Sequence, residues 1–203
     1  MSDGRLVLIL GGARSGKSDF AEELATEVAT ELGTRVLFVA TAEARDEEMR
    51  ARIAAHQAAR PPCWRTLEAP IGVAQALAGR KAPSVVVLDC LTLLVNNHLD
   101  RLAGDDPYAD GSYGKVMGAL DEELVELVNW QRASGAHLIV VSNEVGLGLV
   151  PPLPLGRAYR DLLGWTNRRL ARLADEVYLM VAGLPVDVKS LAARRWGETR
   201  LDG

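Results

Sequence analysis

Five short apolar runs punctuate the chain: RLVLIL (5–10), RVLFVA (35–40), SVVVLD (84–89), HLIVVS (137–142) and EVYLMV (176–181). Each is almost continuously hydrophobic, the pattern of a strand whose two faces are both covered in a parallel sheet. Longer segments between them repeat with the helical period. Phe20, Leu24 and Val28 recur at i, i+4 and i+8 after the first strand. Val116, Leu120, Leu124, Leu127 and Val128 mark a long helix before the fourth, and Tyr159, Leu163, Leu170 and Leu173 another before the fifth. Residues 46–59 read as a helix with Asp46 as its N-cap, and Met49, Ile53 and His56 share one face at i, i+4 and i+7. This alternation predicts an α/β fold with a mostly parallel central sheet flanked by helices and right-handed crossovers.

No internal repeat and no linker interrupts the pattern. Residues 1–189 are expected to form one domain, with 190–203 as a tail that is either a short added helix or a frayed end. Residues 100–114 and 145–156 read as loops longer than ordinary connections, candidates for lids or partner contacts. A plain acidic loop describes the first equally well.

Composition narrows the class. At 203 residues with 48% hydrophobic and 25% charged positions, the chain can bury a sizeable core. A net charge of −4 argues against a nucleic-acid binder that works by general phosphate attraction, yet it permits a local backbone nest for one nucleotide. Cys63 and Cys90 lack CxxC spacing, which points to a reducing compartment. With no apolar run of about 20 residues and no signal-like leader, a cytoplasmic protein without membrane association is expected.

The chemistry-bearing stretch is LVLILGGARSGKSDFAEELA, a strand, a glycine-rich turn and a helix in order. Gly11, Gly12, Ala13, Arg14, Ser15, Gly16, Lys17 and Ser18 match GxxxxGK[ST] in full. The glycines let backbone N–H groups approach phosphate oxygens at a helix N-terminus, Lys17 is placed for the β- and γ-phosphates, and Ser18 for Mg²⁺. Asp89, ending the third apolar run, best suits a Mg²⁺ contact; the alternative is the N-cap of a helix over CLTLLVNNH, and one residue could do both. His56 stays open among packing residue, general base and nucleophile. Arg60 reads either as a phosphate contact or as a solvated helix-end cation. Asn143 and Glu144 follow the fourth strand at the edge where open α/β sheets put ligands, or merely cap a loop. His98 reads as a helix-end cation and His137 as a strand opener.

GGARSGKS, ATAEARDEEMRARIAAHQAARPPCWRTLEAP, LDCLTLLVNN and VSNEVGLGLVPPLPLGRAYRDLLGWTNRRLARLADEVYLMVAGLP occur in this order and together cover nearly the whole chain up to Lys189. They closely resemble the bifunctional adenosylcobinamide kinase/adenosylcobinamide-phosphate guanylyltransferase family of cobalamin biosynthesis. The resemblance implies a RecA-like P-loop fold, a homotrimer, and two reactions. The first is phosphorylation of the aminopropanol hydroxyl of adenosylcobinamide with ATP or GTP. The second is transfer of GMP from GTP onto that phosphate through a guanylyl-histidine at His56, with release of pyrophosphate. It further implies nucleotide contacts at Ala40, Thr41, Ala42, Gln57, Ala58, Ala59, Arg60, Glu68 and Asp89. Arg168 departs from the family's usual glutamine, Trp165 and Thr166 are atypical, and the prolines of PPLPLG are added. A simple P-loop small-molecule kinase and a nucleotide-dependent switch are the alternative readings.

Overall fold

The computed structural model describes residues 4–80, 83–103, 106–108 and 111–192; the side chains of Glu48, Arg52, His56 and Ala59 lie outside the described residues. In chain order the elements are β1 (Leu6–Gly11), α1 (Lys17–Glu31), β2 (Val36–Ala40), α2 (Glu47–Ala59), β3 (Arg65–Glu68), α3 (Val73–Ala78), β4 (Val85–Asp89), α4 (Leu91–Leu102), α5 (Ser112–Ser134), β5 (His137–Asn143), α6 (Pro154–Leu173), β6 (Glu176–Val181), β7 (Leu184–Asp187) and α7 (Val188–Leu191). The strands form one seven-stranded sheet in the order β3-β2-β4-β5-β1-β6-β7. All neighbours pair parallel except β6 and β7.

The five apolar runs are the five central strands, each within a residue of its expected bounds. Alternate side chains divide between two layers. Val7, Ile9, Phe38, Val87 and Val141 pack toward α1, while Leu6, Leu8, Val39, Leu88 and Val140 pack toward α3, α4, α5 and α6. The α1 layer is thin, because its buried positions are Ala21, Ala25 and Ala29, which let the helix lie close to the sheet. Phe20, Leu24 and Val28, the expected apolar stripe of α1, sit beside that buried row and are only partly covered.

Two strands and the short helix α3 escaped the apolar pattern. The edge strand β3 exposes three of its four residues, and β7 is a four-residue return strand containing Pro185. The β6–β7 hairpin turns at Ala182 and Gly183, both at positive φ (52° and 83°), the conformation that a two-residue hairpin loop requires. Helices also claim part of the expected loops. α4 extends to Leu102 and α5 starts at Ser112, while α6 begins at Pro154, where a proline at the first helical turn costs no hydrogen bond. In the first loop, residues 104, 105, 109 and 110 lie outside the described residues. α7 runs across Lys189, and of the expected tail residues 193–203 lie outside the described residues. No helix among the described residues is long and apolar enough to cross a membrane.

Candidate functional site

The C-terminal ends of β1, β2, β4 and β5 lie side by side and set the site's floor. Gly11 pairs in register with Asn143, and Ala40 with Asp89. The turn after β1 is shaped by its glycines. Gly16, the N-cap of α1, has φ 89°, and a side chain there would press to 3.2 Å from Gly183 Cα. The Gly183 N–H donates to the Ser15 carbonyl at 3.1 Å, so the β6–β7 turn braces the glycine-rich turn from outside. Gly183 carries no motif of its own, and only the hairpin geometry identifies this contact.

Lys17 opens α1, is buried, and donates to the Gly12 carbonyl, with Ser15 Oγ 3.5 Å away. Burial lowers the pKa of its ammonium, opposed by the nearby Cys90 and Asp89. Ser18, one residue on, donates from Oγ to Asp89 Oδ2 at 3.2 Å. The helix after β4 is capped at Cys90, without a side-chain cap bond, so the N-cap alternative for Asp89 falls away. Thr41 ties the ends of β2 and β4 together: its hydroxyl donates to the Cys90 carbonyl at 2.7 Å and accepts from the Cys90 N–H at 2.8 Å. Thr92 does the same for β5, accepting the Asn143 N–H at 2.8 Å.

α2 forms as its cap predicts, Asp46 accepting from the Met49 N–H at 2.7 Å. Met49, Ile53 and Gln57 of this helix line a cavity of about 430 Å³ together with Ala13, Arg14, Lys17, Ser18, Ala40, Ala42, Arg60, Asp89 and Asn143. Nine of the residues expected from sequence at the nucleotide therefore meet at one place. Gly11, Gly12, Ser15 and Gly16 shape the adjoining turn, Thr41 is buried behind it, and Ala58 and Glu68 are exposed and do not line the cavity. Cys90, Thr92, Leu93 and Val141 complete the lining; their small or apolar side chains gave no chemical signal in the sequence.

Arg60 lines the same cavity and is half-buried. Its guanidinium carbon lies 3.3 Å from the centre of the Phe38 ring, and Phe38 in turn packs at 6.4 Å from Trp64. Arg60 Nη1 is buried with no hydrogen-bond partner among the described residues. Burial lowers this guanidinium's pKa, against the opposing pull of Asp89 and Glu22.

The reading of His98 is corrected. It is buried within α4, with Nε2 at 3.3 Å from Glu123 Oε2 of α5. The same carboxylate accepts the N–H groups of Gly72 (2.8 Å) and Val73 (2.7 Å) at the start of α3. Burial raises the Glu123 pKa, but the His98 bond and these two N–H bonds outweigh it and hold the carboxyl below its ordinary range. His98 is thus part of a structural knot joining three helices. His137 opens β5 as expected.

The family described as cobinamide kinase / cobinamide phosphate guanyltransferase matches residues 7–188. The chain belongs to that family. It is therefore a transferase of cobalamin biosynthesis carrying the kinase and guanylyltransferase reactions that define the family. Among its relatives, the bifunctional adenosylcobalamin biosynthesis protein CobU of Salmonella typhimurium strain LT2 is 38% identical over 91% of this chain and 99% of its own length. The corresponding CobP of Pseudomonas aeruginosa PAO1 is 43% identical over 90% of this chain and 96% of its own. A KaiC-like protein from Pyrococcus horikoshii OT3 aligns with 87% of this chain and 71% of its own at 16% identity and a TM-score of 0.47.

Proposed function

We propose that both reactions run at the cavity between the phosphate loop and α2, on a RecA-like P-loop fold. In the first, the aminopropanol hydroxyl oxygen of adenosylcobinamide attacks the γ-phosphorus of ATP or GTP; the bond to the bridging oxygen breaks and the nucleoside diphosphate leaves. Lys17 donates to the phosphate oxygens as charge builds on them, helped by the N–H groups of residues 11–16. Ser18 and Asp89 would hold Mg²⁺: both present hard oxygen donors, already 3.2 Å apart. When bound, the ion neutralises charge on the transferring phosphate.

In the second reaction a ring nitrogen of His56 attacks the α-phosphorus of GTP. A P–N bond forms, the bond to the β-phosphate oxygen breaks, and pyrophosphate leaves. The phosphate of adenosylcobinamide phosphate then displaces the imidazole, giving adenosylcobinamide-GDP. Arg60 stabilises the α-phosphate during both displacements, its stacked guanidinium supplying buried donors that the protein itself leaves unmet. Assembly as a homotrimer belongs to the same proposal.

One observation carries this reading: Lys17, Ser18 and Asp89 share a cavity with Met49, Ile53 and Gln57 of the helix that bears His56. Its test uses GTP labelled at the α-phosphorus, with Mg²⁺, followed by denaturation. Label that is acid-labile, alkali-stable and absent from His56→Ala is expected. A wild-type protein that binds GTP yet retains no label removes the histidine route and leaves a kinase alone.

A further inference from the structure

Beside the nucleotide cavity lies a second, open cleft of about 660 Å³. One wall is α6, where Arg160, Gly164 and Arg168 follow at i, i+4 and i+8 with Trp165 beside them. The other is the loop after β5, which presents Gly146, Gly148 and Val150. Tyr113 of α5 also lines it, stacked on Tyr108 with ring centroids 5.6 Å apart and planes inclined by 16°. Leu147 and Leu149 stand almost fully exposed on the loop, at 89% and 96%.

The glycines give the cleft its shape. A glycine in mid-helix costs stability, and a side chain at Gly164 or Gly148 would meet no atom within 4 Å, so packing within the chain demands neither. What glycine does at position 164 is leave open space on the helix face between the positions of Arg160 and Arg168. The loop that walls the cleft starts at the site already described. Asn143 lines the nucleotide cavity, Gly146 lines the cleft three residues later, and the Glu144 N–H between them donates to the Gly11 carbonyl at 3.0 Å.

We infer that this cleft seats the corrin body of the acceptor. The inference rests on the cobinamide reading above and adds the place where the ring system docks. A corrin is broad and flat, and its rim carries amides and methyl groups. The glycine floor admits its edge, and Trp165 and Tyr113 offer apolar faces. Arg168 supplies planar donors to amide carbonyls, Arg160 is shared with Asp161, which also lines the cleft, at 3.5 Å, and Val150, Leu147 and Leu149 meet the methyl groups. The aminopropanol arm then reaches past Asn143 toward the phosphate loop.

The test measures, for the full chain, KM for adenosylcobinamide in the kinase reaction, Kd for GTP, and the mass of the assembly in solution. Gly164→Leu fills the gap at an open helical position, and Arg168→Glu reverses one donor without touching the core. Each is expected to raise the corrinoid KM roughly tenfold or more, as for loss of a charged hydrogen bond or a blocked pocket. Kd for GTP and the assembly mass are expected to stay as in the wild type. A KM within about twofold of wild type in both variants overturns the assignment. So does a fall in assembly mass, which gives this face to a second copy of the chain. Failure of the cobinamide reading looks different: the wild type itself then binds GTP but phosphorylates no adenosylcobinamide.

Discussion

Both edges of the sheet carry a cavity lined with ionisable groups, and they use those groups in opposite ways. At the edge where the parallel strands begin, about 700 Å³ is lined by Arg5, His137, Asp175 and Glu176 above apolar Val7, Leu24, Val28 and Ile139. There Arg5, Asp175 and Glu176 all find partners. Arg5 Nη1 meets Glu176 Oε1 at 2.6 Å, the Tyr178 hydroxyl donates to Glu176 Oε2 at 2.8 Å, and Asp175 accepts the Leu6 N–H at 2.7 Å. The bond to Glu176 and burial together push the Tyr178 phenol up to about 12. At the opposite edge the cavity is smaller, about 430 Å³, yet Lys17 and Arg60 are desolvated and Arg60 Nη1 is unmatched. Burying a cation without a full set of partners costs free energy, and the arrangement is favourable where an anion arrives to complete it. Among the described residues, an unmet donor distinguishes the candidate nucleotide edge; cavity size does not.

The largest effect that would test this contrast is at Lys17. Lys17→Ala is expected to lower kcat/KM of both reactions by roughly 10³-fold, the scale of removing a main donor to a developing oxyanion. Thermal stability should change little, since the side chain's strongest partner is a carbonyl of its own loop. Initial rates of phosphorylation and of pyrophosphate release measure it. A loss below about tenfold would mean that the buried ammonium only holds the loop's shape.

Much of this edge was legible in the sequence, because GxxxxGKS and the apolar runs encode local geometry, and the strands fall where the runs predict. The cap at Asp46 was legible for the same reason. What stayed hidden depended on partners distant in the chain. His98 reads as a helix-end cation until α5 brings Glu123 against it, 25 residues away. Arg60 could not be assigned until β2 placed Phe38 beneath it, and Gly183 shows its role only when the hairpin returns to the phosphate loop. β3 and β7 were missed because a short edge strand with exposed or proline-bearing positions has no continuous apolar signature.

A middle-sized effect belongs to Phe38, which touches no substrate in this scheme and acts through Arg60. Phe38→Leu keeps an apolar side chain in the α1 layer but removes the ring face under the guanidinium. A half-buried cation–π contact is worth about 1–2 kcal/mol, so KM for GTP should rise roughly five- to thirtyfold while kcat falls less. Phe38→Tyr, which restores the ring, should recover most of the affinity if its hydroxyl is accommodated. An equal fall in kcat for both variants would show general loosening of the core in place of lost positioning.

The smallest effect on catalysis is expected at the other edge, and it is the one that can break the comparison. Arg5→Ala removes the centre of a cluster whose members satisfy one another, so kcat/KM for both reactions should stay within about twofold of wild type. The substitution should nonetheless be visible at His137. Burial holds that imidazole below its ordinary value near 6.5, with Arg5 adding to the depression and Glu176 opposing it. Removing Arg5 leaves Glu176 unopposed, so the His137 pKa should rise in a histidine NMR titration. The consequence for stability has a fixed sign. A histidine depressed in the folded state resists protonation, so the wild type keeps its full stability above about pH 6.5 and loses part of it as pH falls toward the folded pKa. In Arg5→Ala that acid-side loss should shrink, read as a flatter dependence of Tm on pH below about 6.5. A shifted His137 with unchanged turnover would confirm that charge at this edge is structural. A tenfold loss of turnover would mean that the two edges are coupled, and that satisfied charges are no guide to where this protein does its chemistry.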